Sequence, residues 1–225
     1  MRPTSPDTSM LRLLQLSSVS LPVGGYAFSQ GLEYAIDSNW VADENQVQQW
    51  LKIQLSQSIA QLELPILRLC MQALAAEKYT ALAQYNDLIL ASRESKELRL
   101  TDTAMGEALA RVLRNQDIPL HFKPGDEHSF VVMFAVAAAH WEIDYATTAL
   151  GYCWSWLENQ VAAATKLVPL GQTQAQRLLG ILQPVILEAI SSAENIQADE
   201  VGACLPALAI ASALHETQYS RLFRS

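Results

Sequence analysis

Apolar residues recur at three- and four-residue steps along most of the chain, the period of helices packed on one face. The clearest stripe is Val47, Trp50, Leu51, Leu55, Ile59 and Leu62. Asp43 precedes it as an N-cap, with Gln46 three residues on as a capping-box partner. Residues 64–77 predict a second helix, with Pro65 in its first turn, where proline is tolerated. Residues 80–90 and 94–113 continue the pattern, the latter with Leu98, Met105, Leu109, Val112 and Leu113 as its stripe. Residues 130–140 are apolar on nearly all sides, which predicts a central, buried helix. Asp144 caps the next helix, which carries Tyr145, Ala149, Tyr152, Cys153, Trp156 and Leu157 and continues into the Ala-rich 161–166. Thr173 is the expected cap of a long helix with Leu178, Leu179, Leu182, Val185, Ile186 and Ile190, kinked at Pro184. Residues 206–214 form a last apolar helix.

Between the stripes the chain breaks. Residues 1–8 are Pro- and Ser-rich and predict a disordered tail. Leu11, Leu13, Leu14 and Leu16 make a short helical segment. It runs into Leu21-Pro22-Val23-Gly24-Gly25-Tyr26, a tight loop, and Ser29 opens a short helix through Leu32 and Ile36. Residues 115–127 hold two prolines and a glycine and form a loop, as do Val168-Pro169-Leu170-Gly171-Gln172. No segment alternates with period two, no linker divides the chain and no repeat recurs. The expectation is one all-α domain, residues 9–214, of roughly eight to ten helices.

Composition narrows the function. Half of the 225 residues are hydrophobic and the formal net charge is −8. An acidic surface repels phosphate backbones, so no nucleic-acid partner is expected. The most apolar run, 131–139, is far shorter than the ~20 residues that span a bilayer, and no membrane partner is expected. Cys70, Cys153 and Cys204 are odd in number and widely spaced, without C-x-x-C, which argues against a disulfide framework or a structural zinc site. They read as buried small hydrophobes in a reducing cytoplasm.

A search for chemistry finds little. Residues 25–31 contain glycine but lack the Lys and hydroxyl of a phosphate-binding loop, and no G-x-S-x-G elbow occurs. His121, Asp126, Glu127 and His128 are the only tight metal-ligand group, on a loop and at no recognised spacing. They are either a solvated polar loop or the site of a helical metal-dependent enzyme using His121, Asp126 and His128. His140 reads as a hydrogen-bonded core histidine, and the adjacent His215 and Glu216 point in different directions on a helix. Arg93, Glu94, Lys96, Glu97 and Arg99 alternate in charge, the mark of a solvated helix face with i,i+3 and i,i+4 pairs. Glu33, Glu142 and Asp144 add carboxylates, but nothing selects an acid–base pair. An interaction module without catalytic residues fits better than an enzyme.

Four stretches carry more than this. Residues 14–33 (LQLSSVSLPVGGYAFSQGLE), 92–98 (SRESKEL), 166–172 (KLVPLGQ) and 215–225 (HETQYSRLFRS) resemble, in order and nearly end to end, the UreF family of urease accessory proteins. Ala27 stands where that family commonly has Ser, and Ser95 and Lys96 where it has Thr and Arg. Lys96 keeps the charge without the guanidinium fork. The resemblance implies an all-α, often dimeric protein that bridges UreD (UreH in some species) and the GTPase UreG on the urease apoprotein subunits. Such a protein promotes GTP-dependent nickel insertion with no stably bound cofactor, the complex handling nickel transiently.

On that resemblance the candidate contact residues are Tyr26, Phe28, Glu33, Glu94, Lys96, Glu97, Lys166, Pro169, Gly171, Gln172, Glu216, Tyr219, Arg221, Phe223 and Arg224. Tyr26 and Phe28 beside the Gly24-Gly25 turn serve as interface anchors or pack in the core. Glu33 also suits the positive end of the helix dipole. Lys166 either answers a helix C-terminus or meets an acidic partner. Residues 215–225 combine aromatic and arginine side chains on a flexible tail expected to order on a partner.

Overall fold

Side-chain caps set several of the helix starts. Asp43 Oδ1 accepts the Gln46 N–H at 2.9 Å, and Gln46 Oε1 accepts the Ala42 N–H at 2.7 Å. Asp144 accepts the Thr147 N–H at 2.9 Å and its hydroxyl at 2.6 Å. Ser95 Oγ accepts the Leu98 N–H at 3.0 Å and starts its helix there. The computed structural model describes residues 6–225. Among them the α-helices are α1 (Pro6–Leu16), α2 (Leu32–Asp37), α3 (Glu44–Ile53), α4 (Glu63–Ala75), α5 (Tyr79–Ala91), α6 (Lys96–Arg114), α7 (Phe130–His140), α8 (Tyr145–Leu167), α9 (Gln172–Ala193) and α10 (Pro206–His215). No strand occurs among the described residues, so the all-helical, single-domain reading holds.

α7 is the core element. Val131, Val132, Met133, Phe134, Ala135, Ala137 and Ala138 are wholly buried, because α4 and α6 pack along it and α5, α8 and α1 close the remaining sides. α9 lies along α8, and Arg177 on α9 grips Glu44 on α3 at 2.6 Å. That hydrogen bond holds the Glu44 carboxyl below the usual carboxylate range. α10 packs on α2 and α6.

Several local expectations change. Residues 1–5 of the expected tail lie outside the described residues, and the chain is helical from Pro6 onward, with Asp7 in the first turn of α1. The stripe through Leu62 is not one α-helix: Gln54–Ile59 is a π-helical turn. Residues 47, 51, 55 and 59 repeat every four positions, which drifts about 40° per step in a 3.6-residue helix. The wider turn removes the drift and keeps Leu55 and Ile59 in the core. The expected Thr173 cap is replaced by Gly171, whose N–H reaches Gln174 Oε1 at 2.8 Å. α9 is continuous through Pro184, which sits on its exposed face beside exposed Gly180, the residue whose carbonyl proline leaves without an intrahelical donor.

Burial works against ionisation of Asp144, and the Thr147 hydroxyl and amide outweigh it, so its carboxyl titrates below the ordinary range. A carboxyl depressed in the folded state stabilises above its unfolded pKa and loses that contribution as pH falls through the folded one. Asp144→Ala therefore costs about 1 kcal/mol at neutral pH. In urea unfolding, the gap to the parent chain closes on acidification.

Candidate functional site

The glycine loop prepares a seat for the end of the chain. Gly24 has φ 73, and the 3₁₀ turn Gly25–Ala27 follows it. Gln30 (φ 52) and Gly31 (φ 82) are both left-handed, and the Ser29 and Gln30 N–H groups donate to the main-chain oxygen of Ser225. Gly31 also lies where a Cβ would stand 3.2 Å from the Ser212 nitrogen of α10, so both its backbone conformation and the close approach favour glycine. The loop splits the two aromatics: Tyr26 is 64% exposed and Phe28 is in the core.

The segment after α10 folds back over this seat. Leu222 N–H donates to Glu33 Oε1 at 2.6 Å and Phe223 N–H to Glu33 Oε2 at 2.9 Å. Arg221 Nη1 donates to Glu97 Oε1 at 3.0 Å, and Arg224 N–H to the Ala27 carbonyl at 2.8 Å. The Ser225 and Thr101 hydroxyls meet in the interior. Phe223 is buried with the Lys166 ammonium 5.4 Å from its ring centroid. The tail expected to order on a partner is thus ordered on its own chain. Phe223 is turned inward, while Tyr219, Leu222 and Arg224 face solvent.

His215 joins the two glutamates. Its ring is wholly buried, with Nε2 3.0 Å from Glu33 Oε2 and Nδ1 2.7 Å from Glu97 Oε2. Glu33 and Glu97 therefore face inward and hold the tail rather than presenting carboxylates to solvent. Glu216 points away and is half-buried. Glu94 is exposed and accepts from the Cys204 thiol at 3.1 Å and the Leu205 N–H at 3.3 Å. That hydrogen bond pushes the Cys204 thiol up. Cys204 is exposed, unlike Cys70 and Cys153, whose thiols burial pushes up. Lys96, Pro169, Gly171 and Gln172 are exposed, the last three where α8 passes into α9.

The alternating charges at 93–99 are only partly a solvated face: Glu94 and Lys96 are exposed, while Arg93 and Glu97 turn inward. Arg93, its side chain 14% exposed, donates Nη1–H to Glu63 at 2.6 Å and Nε–H to Asp102 at 2.9 Å. The two carboxylates overcome desolvation and push the guanidinium higher still. Asp102 also accepts the Ser129 hydroxyl at 2.9 Å and the Phe130 N–H at 2.7 Å, which starts α7. Burial drives the neighbouring Tyr152 hydroxyl well above its ordinary range. These side chains wall a cavity of about 70 Å³ that reaches Gly25 and Gln30 beneath the glycine loop, with Glu63 Oε2 unpartnered beside it.

The alternative metal site does not assemble. No group of three or more His, Cys, Asp or Glu side chains among the described residues is arranged to hold a metal ion. His121 stacks on Tyr79 at 3.9 Å, and Asp126 accepts the Lys123 N–H at 2.9 Å. His128 is buried against Glu107 and edge-on to Phe122. His140 is half-buried at the end of α7 rather than in the core.

The sequence model of the UreF family matches residues 41–183. The chain is 62% identical over 219 residues to the urease accessory protein UreF of Marinomonas sp. (strain MWYL1), covering 97% of this chain and 95% of that protein. It is 44% identical over 222 residues to that of Hahella chejuensis (98% and 100% covered). The identity is 45% over 224 residues with that of Teredinibacter turnerae (97% and 100%).

Proposed function

The chain belongs to the UreF family of urease accessory proteins, and from that footing we propose that it is a cytoplasmic adaptor. It bridges a UreD/UreH-type protein and the GTPase UreG on the urease apoprotein, acting as a homodimer, and supports GTP-dependent nickel insertion. Nickel is cargo of the assembly in this reading, and the chain supplies contact surface rather than catalytic groups. The observation that carries it is the folded-back tail. It joins the glycine loop, α2, α6 and the end of α8 into one surface, and leaves Tyr219 fully exposed and Leu222 64% exposed. Large aromatic and arginine side chains on an ordered support are the residues that dominate protein interfaces.

Pull-down of the full chain from cells carrying a urease gene cluster is expected to recover a UreD-like protein and a GTPase. Recovery of neither overturns the adaptor. Deleting residues 216–225 is expected to lower recovery of the UreD-like protein at least about tenfold, the loss of one hot-spot cluster. Unchanged recovery would place the partner surface elsewhere.

A further inference from the structure

The Glu33–His215–Glu97 cluster has more acceptors than a neutral imidazole can serve. An ionised carboxylate only accepts, and a neutral imidazole carries one N–H. Both ring nitrogens of His215 face carboxylate oxygens, at 3.0 and 2.7 Å, distances that leave no room for an intervening water, and the ring is 0% exposed. The geometry is complete when both nitrogens carry protons. The charges agree. Glu33 from α2 and Glu97 from α6 bring two negative charges, and Arg221 from the tail brings one positive charge. The imidazolium closes the balance; without it, one carboxylate is buried without a counter-charge.

We propose that His215 is the positioning residue of the partner-facing tail, and that it acts as a doubly protonated imidazolium clamped between Glu33 and Glu97. Through Glu33 it fixes the Leu222 and Phe223 N–H groups, and through Glu97 it fixes Arg221. His215 touches no partner itself; it sets the path from which Tyr219 and Leu222 project. The proposal rests on the reading of the tail as contact surface. Docking of the tail is strongest where both carboxylates are ionised and the ring is protonated. It weakens as rising pH removes the ring proton, and again as falling pH protonates Glu33 and Glu97. Ser95 and Ser212, paired at 2.7 Å where α6 meets α10, contribute no charge of their own.

The test uses the isolated full chain, so it does not depend on any partner. With ¹⁵N-labelled histidine, both His215 ring nitrogens are expected in the protonated range, each with an exchange-protected proton. Amide exchange of Leu222 and Phe223, corrected for its intrinsic pH dependence, is expected to accelerate on the alkaline side. His215→Gln supplies an NH2 donor group and a carbonyl acceptor but no charge. It is expected to speed that exchange by about tenfold or more, as loss of a charge-assisted hydrogen bond does, and to flatten the profile. Should His215→Gln fail to fold, Arg221→Gln, at a position 39% exposed on its side chain, is expected to speed exchange while keeping the profile. A parent His215 with one protonated nitrogen, or a corrected exchange rate indifferent to pH, overturns the proposal. Failure of the pull-down alone would overturn the adaptor reading and leave these spectra unchanged.

Discussion

Replacing Arg93 with methionine is expected to cost about 3–5 kcal/mol of folding stability in urea unfolding, as removal of one partner from a buried ion pair does. Among the described residues Arg93 is the cation that bridges Glu63 and Asp102, whose side chains are 8% and 5% exposed. Methionine fills much of the space but leaves two buried carboxylates facing each other across a small cavity. Asp102 retains the Ser129 hydroxyl and the Phe130 N–H. Glu63 is left worse off, since its second oxygen is already unpartnered. The double variant Arg93→Met with Glu63→Gln is therefore expected to recover part of the loss, because it removes the carboxylate with the poorer alternatives. If the double variant is no more stable than the single one, the cost lies in packing around the methionine rather than in stranded charge.

This network marks the point where the sequence stops being legible. α7 can be read to its ends because eleven nearly all-apolar residues between loops have one stable location, the middle of a helical protein. The caps at Asp43 and Asp144 are equally readable, since an N-cap is a contact over three residues. Arg93 is not. Its partners lie 30 and 9 positions away, and an alternating charge pattern looks the same whether a helix start is solvated or sealed. His215 is a stronger case: Glu33 is 182 positions from it and Glu97 is 118. Its adjacency to Glu216 has no bearing on its chemistry. Both Glu33 and Glu97 stand among the candidate contacts through resemblance, but only packing shows that they grip the tail instead of facing a partner. Tyr26 and Phe28, two positions apart, separate for the same reason: a 3₁₀ turn rotates one to solvent and the other inward.

Gly106 gives the sharpest separation between local propensity and packing. It lies inside α6, where alanine is normally better than glycine by about 1 kcal/mol. A Cβ at this position would overlap the His128 carbonyl oxygen and stand 2.7 Å from its carbon and 2.9 Å from the Ser129 carbonyl carbon. These are backbone atoms, and they are fixed. Asn86 donates to the Glu127 carbonyl at 2.9 Å and accepts the Ser129 N–H at 2.9 Å, while Asp102 holds the first turn of α7. The chain cannot move aside without breaking these bonds. Gly106→Ala is therefore expected to destabilise by about 3 kcal/mol or more, lowering Tm by about 6–12 °C for a chain of this size. Gly180, also inside a helix, has open space where its Cβ would go. Gly180→Ala is expected to stabilise by about 0.5–1 kcal/mol. Thermal unfolding of the two variants beside the parent decides the matter: shifts of the same sign would mean that the close approach of α6 to residues 128–129 is not what requires glycine at position 106.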